Sequence, residues 1–252
     1  MPRLFTAAAL SLLLVSTSFA EVLTFAFAEG EPPISDMLNG EVVGLIPELA
    51  TLAVNQTGDL QMHARALPWA RAQHEVELGR LDALLTYPSK TRQVYAVFTP
   101  TPAYHLDFGY LVFHRDNPHR AQIESANSFA DLHGLTFVAQ QGVGFEEQNV
   151  PSSVQRIYAH QLDAVLHLLL KRRVGDFAIM QPEQAVYLAQ SFGYAQALAF
   201  QRAPFIPDAQ IPFHIGISRL HPQAEQLIER LEKTLNSPAF THARDALVKR
   251  YR

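Results

Sequence analysis

Gly79-Arg80-Leu81-Asp82-Ala83-Leu84-Leu85-Thr86-Tyr87-Pro88 returns in altered form as Arg173-Val174-Gly175-Asp176-Phe177-Ala178-Ile179-Met180-Gln181-Pro182. In both stretches a helical pattern ends, an aspartate opens a short apolar run, and a proline stands six residues beyond that aspartate. Short apolar runs bounded by turn residues read as buried strands. Strands that alternate with amphipathic helical segments read as α/β architecture. Two such units in one chain predict two lobes built on similar strand–helix repeats.

The flanking sequence extends this pattern. Residues 22–28 (VLTFAFA) read as a strand, and residues 29–40, rich in Pro, Gly, Asp and Asn, as a loop. Residues 44–56 read as a helix: Pro47 and Glu48 suit its first turn, Leu49, Leu52 and Ala53 share a face, and Gly58 lies just past its end. Residues 69–78 form a second helix stopped by Gly79, and residues 82–87 the next strand. Residues 137–140 read as a strand whose end, Gly142-Val143-Gly144, leads into a helix from Phe145. The β-rich segments 108–113 and 212–218 fit paired crossovers between lobes, and residues 222–235 and 238–251 read as closing helices that each start at proline. The expected layout is a two-lobed α/β fold, with mixed sheets flanked by helices and joined by two hinge strands. Residues 21–110 make the first lobe, 111–216 the second, and 217–252 the helices that complete the first.

Composition narrows the chemistry. The 252 residues include no cysteine, which excludes disulfide staples, thiolate metal sites, thiol nucleophiles and lipidated cysteine. Twenty Lys and Arg against 24 Asp and Glu give a net charge of −4, without the basic surplus that nucleic-acid binding requires. Residues 1–20 (MPRLFTAAALSLLLVSTSFA) have a basic start, a short apolar run and a small-x-small end at Ser18-Phe19-Ala20. This is the pattern of a cleaved signal peptide. Its apolar run is shorter than the roughly 20 residues that span a bilayer. The expectation is an exported protein, free in a periplasm.

Ligands of open α/β sheets bind beyond the carboxyl ends of strands, beside helix N-termini. That rule selects residues 29–34, 86–92, 141–145 and 180–183. Gly142, Gly144 and Phe145 stand where backbone N–H groups meet an anion, although Gly-x-Gly equally forms a plain turn. Arg92 follows a strand end, where a planar guanidinium takes a carboxylate through two parallel hydrogen bonds. None of the eleven histidines has the i, i+4 spacing of a helical zinc site. No nucleophile elbow or phosphate-binding loop is present, and no metal or cofactor is implied.

An ordered set of motifs resembles one family. Pro33-Ile34, Asn39-Gly40-Glu41-Val42-Val43-Gly44-Leu45 and Glu48-Leu49 look like the opening of the periplasmic polar-amino-acid-binding proteins, the family 3 solute receptors of ABC transporters. Gly79-Arg80-Leu81-Asp82-Ala83, Thr91-Arg92 and Phe98-Thr99-Pro100-Thr101-Pro102 continue the resemblance. Ser128-Phe129-Ala130-Asp131-Leu132-His133-Gly134, followed by Gly142, completes it.

The resemblance implies a type II periplasmic-binding-protein fold whose lobes close over a small solute for delivery to a membrane permease, with a monomer as the working unit. It places Arg92 at the ligand carboxylate, Trp69 as an aromatic cleft wall, Thr86 as a cleft hydroxyl, and Gly142 to Phe145 at the second-lobe helix start. Two positions depart from the family. Gln181 stands where an acid usually holds the ligand ammonium, and Glu31 falls beside a cleft aromatic that it replaces. Either Glu31 or Glu183 compensates, or the solute lacks an α-ammonium. The same fold also serves cyclohexadienyl (arogenate) dehydratases and receptors for sensor kinases, which remain the alternatives to transport.

Overall fold

The computed structural model of the chain describes residues 21–141 and 144–252. The expected leader, residues 1–20, and Gly142 lie outside the described residues.

The chain begins with β1 (Glu21–Ala28), then a ribbon of β2 (Asp36–Leu38) and β3 (Glu41–Val43). It continues through α1 (Leu45–Asn55), β4 (Leu60–Leu67), α2 (Trp69–Glu77), β5 (Ala83–Thr86), α3 (Lys90–Tyr95), β6 (Ala96–Phe98) and β7 (Tyr104–Asp107). A second set follows: β8 (Tyr110–His114), α4 (Arg120–Ser125), β9 (Thr136–Gln140), α5 (Gly144–Asn149), β10 (Gln155–Ala159) and α6 (Leu162–Leu166). The last of these runs on as a π-helical turn, His167–Arg172. Then come β11 (Ala178–Ile179), α7 (Pro182–Ser191) and β12 (Leu198–Arg202). The chain returns through β13 (Gln210–Ser218), α8 (Ala224–Leu235) and α9 (Pro238–Lys249).

Two sheets organise the lobes. In the first, the order is β4-β1-β5-β13-β6, with β7 also paired to β13. Leu23, Phe25 and Phe27 of β1 face α1, α8 and α9, whereas Ala26 and Leu84 face Ala72 and Val76 of α2. Both faces of this mixed sheet are covered. The second lobe pairs β11-β8-β12 antiparallel and β9-β10 parallel, and a parallel bridge between Phe137 and Phe177 joins the two sets. Leu111, Phe113, Phe137 and Phe177 fill one side of it, and Val112, Val138, Leu166 and Leu169 the other.

The repeated sequence unit is repeated in atomic detail. The Asp82 N–H donates to Thr24 O at 2.9 Å, while the Thr24 N–H donates to Asp82 Oδ2 at 2.8 Å. In the second lobe Asp176 does the same with Thr136, with both distances 2.8 Å. The next residues then pair in parallel, Phe25 with Ala83 and Phe137 with Phe177. Both preceding helices end on a left-handed residue, Gly79 (φ 67°) and Arg173 (φ 52°).

Several boundaries differ from the sequence reading. Residues 29–40 are not all loop, because β2 and β3 pair across Asn39-Gly40, whose φ values of 53° and 87° suit a tight hairpin. Strand β8 starts at Tyr110 rather than residue 108, since Phe108 and Gly109 form the crossing between lobes. Helix α8 starts at Ala224, not at Pro222, with Gln223 as its N-cap. Residues 210–216, expected in the second lobe, hydrogen-bond into the first sheet through β5, β6 and β7. Gly44 at φ 122° caps α1, and a Cβ there would stand 2.8 Å from Ile34 O. That close approach lets the N–H groups of Leu45 and Ile46 reach Pro33 O and Ile34 O.

Removing either clamp leaves a backbone N–H without its carboxylate. Asp82→Ala and Asp176→Ala are each expected to lower the unfolding free energy by about 1–3 kcal/mol in urea titrations, with the asparagine variants losing less. A change below a few tenths of a kcal/mol in both alanine variants would show that the clamps do not set strand register.

Candidate functional site

The carboxyl ends of β1 and β5 open onto a cavity of about 240 Å³ between the lobes. Glu31, Trp69, Thr86 and Arg92 line it from the first lobe and Gln181 from the second, so five residues singled out in the sequence share one space. Phe27, Ile34, Leu106 and Phe213 supply apolar wall, and Tyr87, Ser35 and Gln184 further polar edge. This mixture of apolar lining and few polar groups is typical of small-molecule sites, and the volume falls below the usual range for drug-sized ligands.

Arg92 is held from three sides. Its Nε donates to Gln73 Oε1 at 2.8 Å, its Nη1 donates to Tyr87 O at 2.8 Å, and its guanidinium lies 5.3 Å from the Trp69 ring centroid. Ser89 caps the short helix that carries it, accepting from the Arg92 N–H at 3.3 Å. Trp69 and Gln73 are i and i+4 on α2, so one helix face presents both the indole and the amide. Burial, the largest influence, pushes the Arg92 pKa below its ordinary value, and Tyr95 opposes that shift. Among the described residues no carboxylate forms an ion pair with it. A desolvated, oriented cation without a counter-charge is primed for an anion.

The other wall groups are equally constrained. Thr86 ends β5 and is buried, in register with His214 of β13. Glu31 is exposed, but its backbone is fixed by exchange of two 2.9 Å hydrogen bonds with Ser35, whose hydroxyl donates to Ala28 O at 2.6 Å. Gln181 is the N-cap of α7 and only 4% exposed, and its Oε1 is buried without a partner among the described residues. A buried acceptor left unpaired costs about 1–3 kcal/mol, which a donor on a bound solute would relieve.

Phe145 and Glu183, two other sequence candidates, are not among the residues that line the cavity. Gly144 opens the six-residue α5, and the ring of Phe145 stacks on Phe108 at 4.9 Å, against the second-lobe core. Glu183, the other acid offered as a compensating charge, has no exposed surface and is bound to Tyr104 and Arg252. Of the two acids, only Glu31 lines the cavity. Sequence reasoning missed Gln73 and Tyr87 as the supports of Arg92. The i, i+4 spacing from Trp69 pointed to the first, whereas the second acts through a backbone carbonyl that no side-chain pattern reveals. Among the described residues no group of three or more His, Asp or Glu is placed to hold a metal ion, and no helix is long and apolar enough to cross a membrane.

Comparison with solved structures places this architecture. The second substrate-binding domain of Lactococcus lactis GlnP, in an open conformation, superposes with a TM-score of 0.70 at 14% identity, over 92% of this chain and 95% of that one. The chain has the fold of the amino-acid substrate-binding proteins. An ancestral cationic amino-acid solute-binding protein gives a TM-score of 0.68 at 17% identity, covering 91% of this chain and 95% of that one. A histidine kinase sensor domain with similarity to periplasmic binding proteins gives 0.56 at 17%, covering 93% and 96%. The sequence matches no protein-family model and no curated protein.

Trp69 is the only tryptophan, so its emission reports on the Arg92 stack. Arg92→Ala is expected to change the intensity or maximum of that emission in ligand-free protein, and Gln73→Ala to change it less in the same direction. An unaltered spectrum for Arg92→Ala would mean that the guanidinium does not rest on the indole in solution.

Proposed function

We propose that this protein is an exported solute-binding protein of the family 3 type, which captures a small, amino-acid-like carboxylate between its lobes and presents it to an ABC-type permease. The observation that carries this reading is Arg92: a half-buried guanidinium, fixed by Gln73, Tyr87 and Trp69, beside a cavity of about 240 Å³. A cation held in place before binding loses little orientational freedom when the carboxylate arrives. Thr86 hydrogen-bonds the solute's polar end, and Trp69 packs on its carbon skeleton. From the second lobe, the backbone at the start of α5, Gly144 and Phe145, meets the carboxylate when the lobes close by hinge motion, the part the resemblance also gives to Gly142.

Gln181 sets the class of solute. Its amide oxygen accepts a hydrogen bond but carries no net charge, so it favours a neutral donor over an ammonium group that needs full neutralisation. Glu31 is the acid at the cavity edge that meets an ammonium if one is present. The protein works as a monomer, free in the periplasm once the leader at residues 1–20 is removed. Signalling is the second reading, supported by the 93% coverage of this chain by a sensor-kinase domain of the same fold.

A thermal-shift and Trp69 fluorescence screen over amino acids, hydroxy acids and short organic acids tests the reading. Ligands are expected among the carboxylates, and Arg92→Ala is expected to weaken them about ten- to a hundredfold, the size of one charge-assisted hydrogen bond. Retained affinity in that variant would remove Arg92 from the carboxylate role. Gln181→Asp is expected to move preference toward ammonium-bearing ligands by about tenfold, read from the ratio of dissociation constants for an amino acid and its hydroxy-acid analogue. An unchanged ratio would take Gln181 out of the recognition site. Formation of an aromatic product from prephenate or arogenate would replace the receptor reading by the dehydratase one.

A further inference from the structure

Glu183 has no exposed surface, and its role lies outside the cleft. Its Oε1 accepts from Tyr104 Oη at 2.6 Å and from Arg252 Nε at 2.9 Å, while Oε2 is buried with no partner among the described residues. Tyr104 belongs to β7 and is packed into the first-lobe core. Arg252 lies beyond α9, on that same lobe. Glu183 instead sits in the first turn of α7, whose Ala185 and Ala189 are buried in the second-lobe core. The interaction therefore bridges two bodies with separate cores.

The two partners of Glu183 are both shifted by burial and by the carboxylate beside them. Burial raises the Tyr104 pKa and the Glu183 charge raises it further, so the phenol remains a donor. For Arg252 burial is the largest influence and works downward, but the charge and hydrogen bond of Glu183 outweigh it and the pKa is raised. A buried carboxylate stripped of its partners is strongly disfavoured, so the contact is kept whole or the residue must move to water. Two residues earlier on the same turn stands Gln181, with its buried oxygen at the cleft wall.

We propose that Glu183, Tyr104 and Arg252 form an interlobe latch, which holds the second lobe in the arrangement seen here and positions Gln181 without itself touching solute. The latch is independent of which solute the cleft accepts.

The absence of cysteine allows a clean test. Cysteines introduced at Val94 (76% exposed) on the first lobe and Tyr158 (56% exposed) on the second take spin labels for pulsed electron–electron distance measurement on ligand-free full-length protein. The labelled parent is expected to give one narrow distance distribution. Arg252→Ala and the milder Tyr104→Phe are each expected to shift it, split it or broaden it. An unchanged distribution in both variants overturns the latch, and so does a lowered melting temperature with no change in distance, the signature of an ordinary stabilising pair. Because no solute is added, either outcome leaves the assignment of Arg92 standing on its own test.

Discussion

One carboxylate clamp, used twice, underlies the architecture. Asp82 and Asp176 each donate through the backbone N–H to a threonine carbonyl on the neighbouring strand and accept that threonine's N–H on the side chain. A pair of short hydrogen bonds at the first residue of a parallel strand fixes its register, and a slip of one residue would turn every side chain to the opposite face. With the register held, Ala83 and Leu85 enter one core while Leu84 enters the other. The strand then ends at Thr86, with Tyr87 just beyond it at the cleft. The same count from Asp176 brings Gln181 to the facing wall, so both sides of the cavity are set by the same interaction.

The cleft is built around a cation whose orientation its neighbours fix. Arg92 gains its orientation from neighbours that are themselves anchored: Trp69 and Gln73 on α2, and the Tyr87 carbonyl just past β5. Gln181 faces it from a lobe connected through two strand crossings. The first crossing is pinned at Asp107, which accepts from the Gly109 N–H and from Arg202 Nη1, both at 2.8 Å. Asp107 thus ties the outgoing connection to the end of β12, where the chain starts back. Most of the cavity lining comes from the first lobe, and Gln181 and Gln184 supply wall from the second.

Legibility in the sequence followed burial. Strands β1, β5 and β9 are central, so their apolar runs stood out, as did the periodic faces of α1 and α2. Edge strand β4 reads LQMHARAL, with Gln61, His63 and Arg65 exposed in strict alternation with Leu60, Met62, Ala64 and Ala66, a strand signal that the sequence reading did not use. The β2–β3 ribbon was concealed among loop-forming residues, although Asn39-Gly40 is itself a hairpin signal. Within the site, Arg92, Thr86, Glu31 and Gln181 fell in stretches that the strand-end rule selects, whereas Trp69 was legible only through the family resemblance. Gln73 and the Tyr87 carbonyl were not, because their part is to support another side chain.

The sequence by itself determined the two repeated strand–helix units, the α/β class, and which residues stand at the strand ends. Those are local properties, encoded in periodicity, glycine stops and the spacing from aspartate to proline. Only the tertiary structure decided that Gln181 and Arg92 face one cavity, and that Glu183 joins Tyr104 and Arg252 rather than the cleft. Residues that far apart along the chain meet only when two lobes dock. The docking geometry belongs to the packed sheets and their crossings, not to any single stretch of sequence.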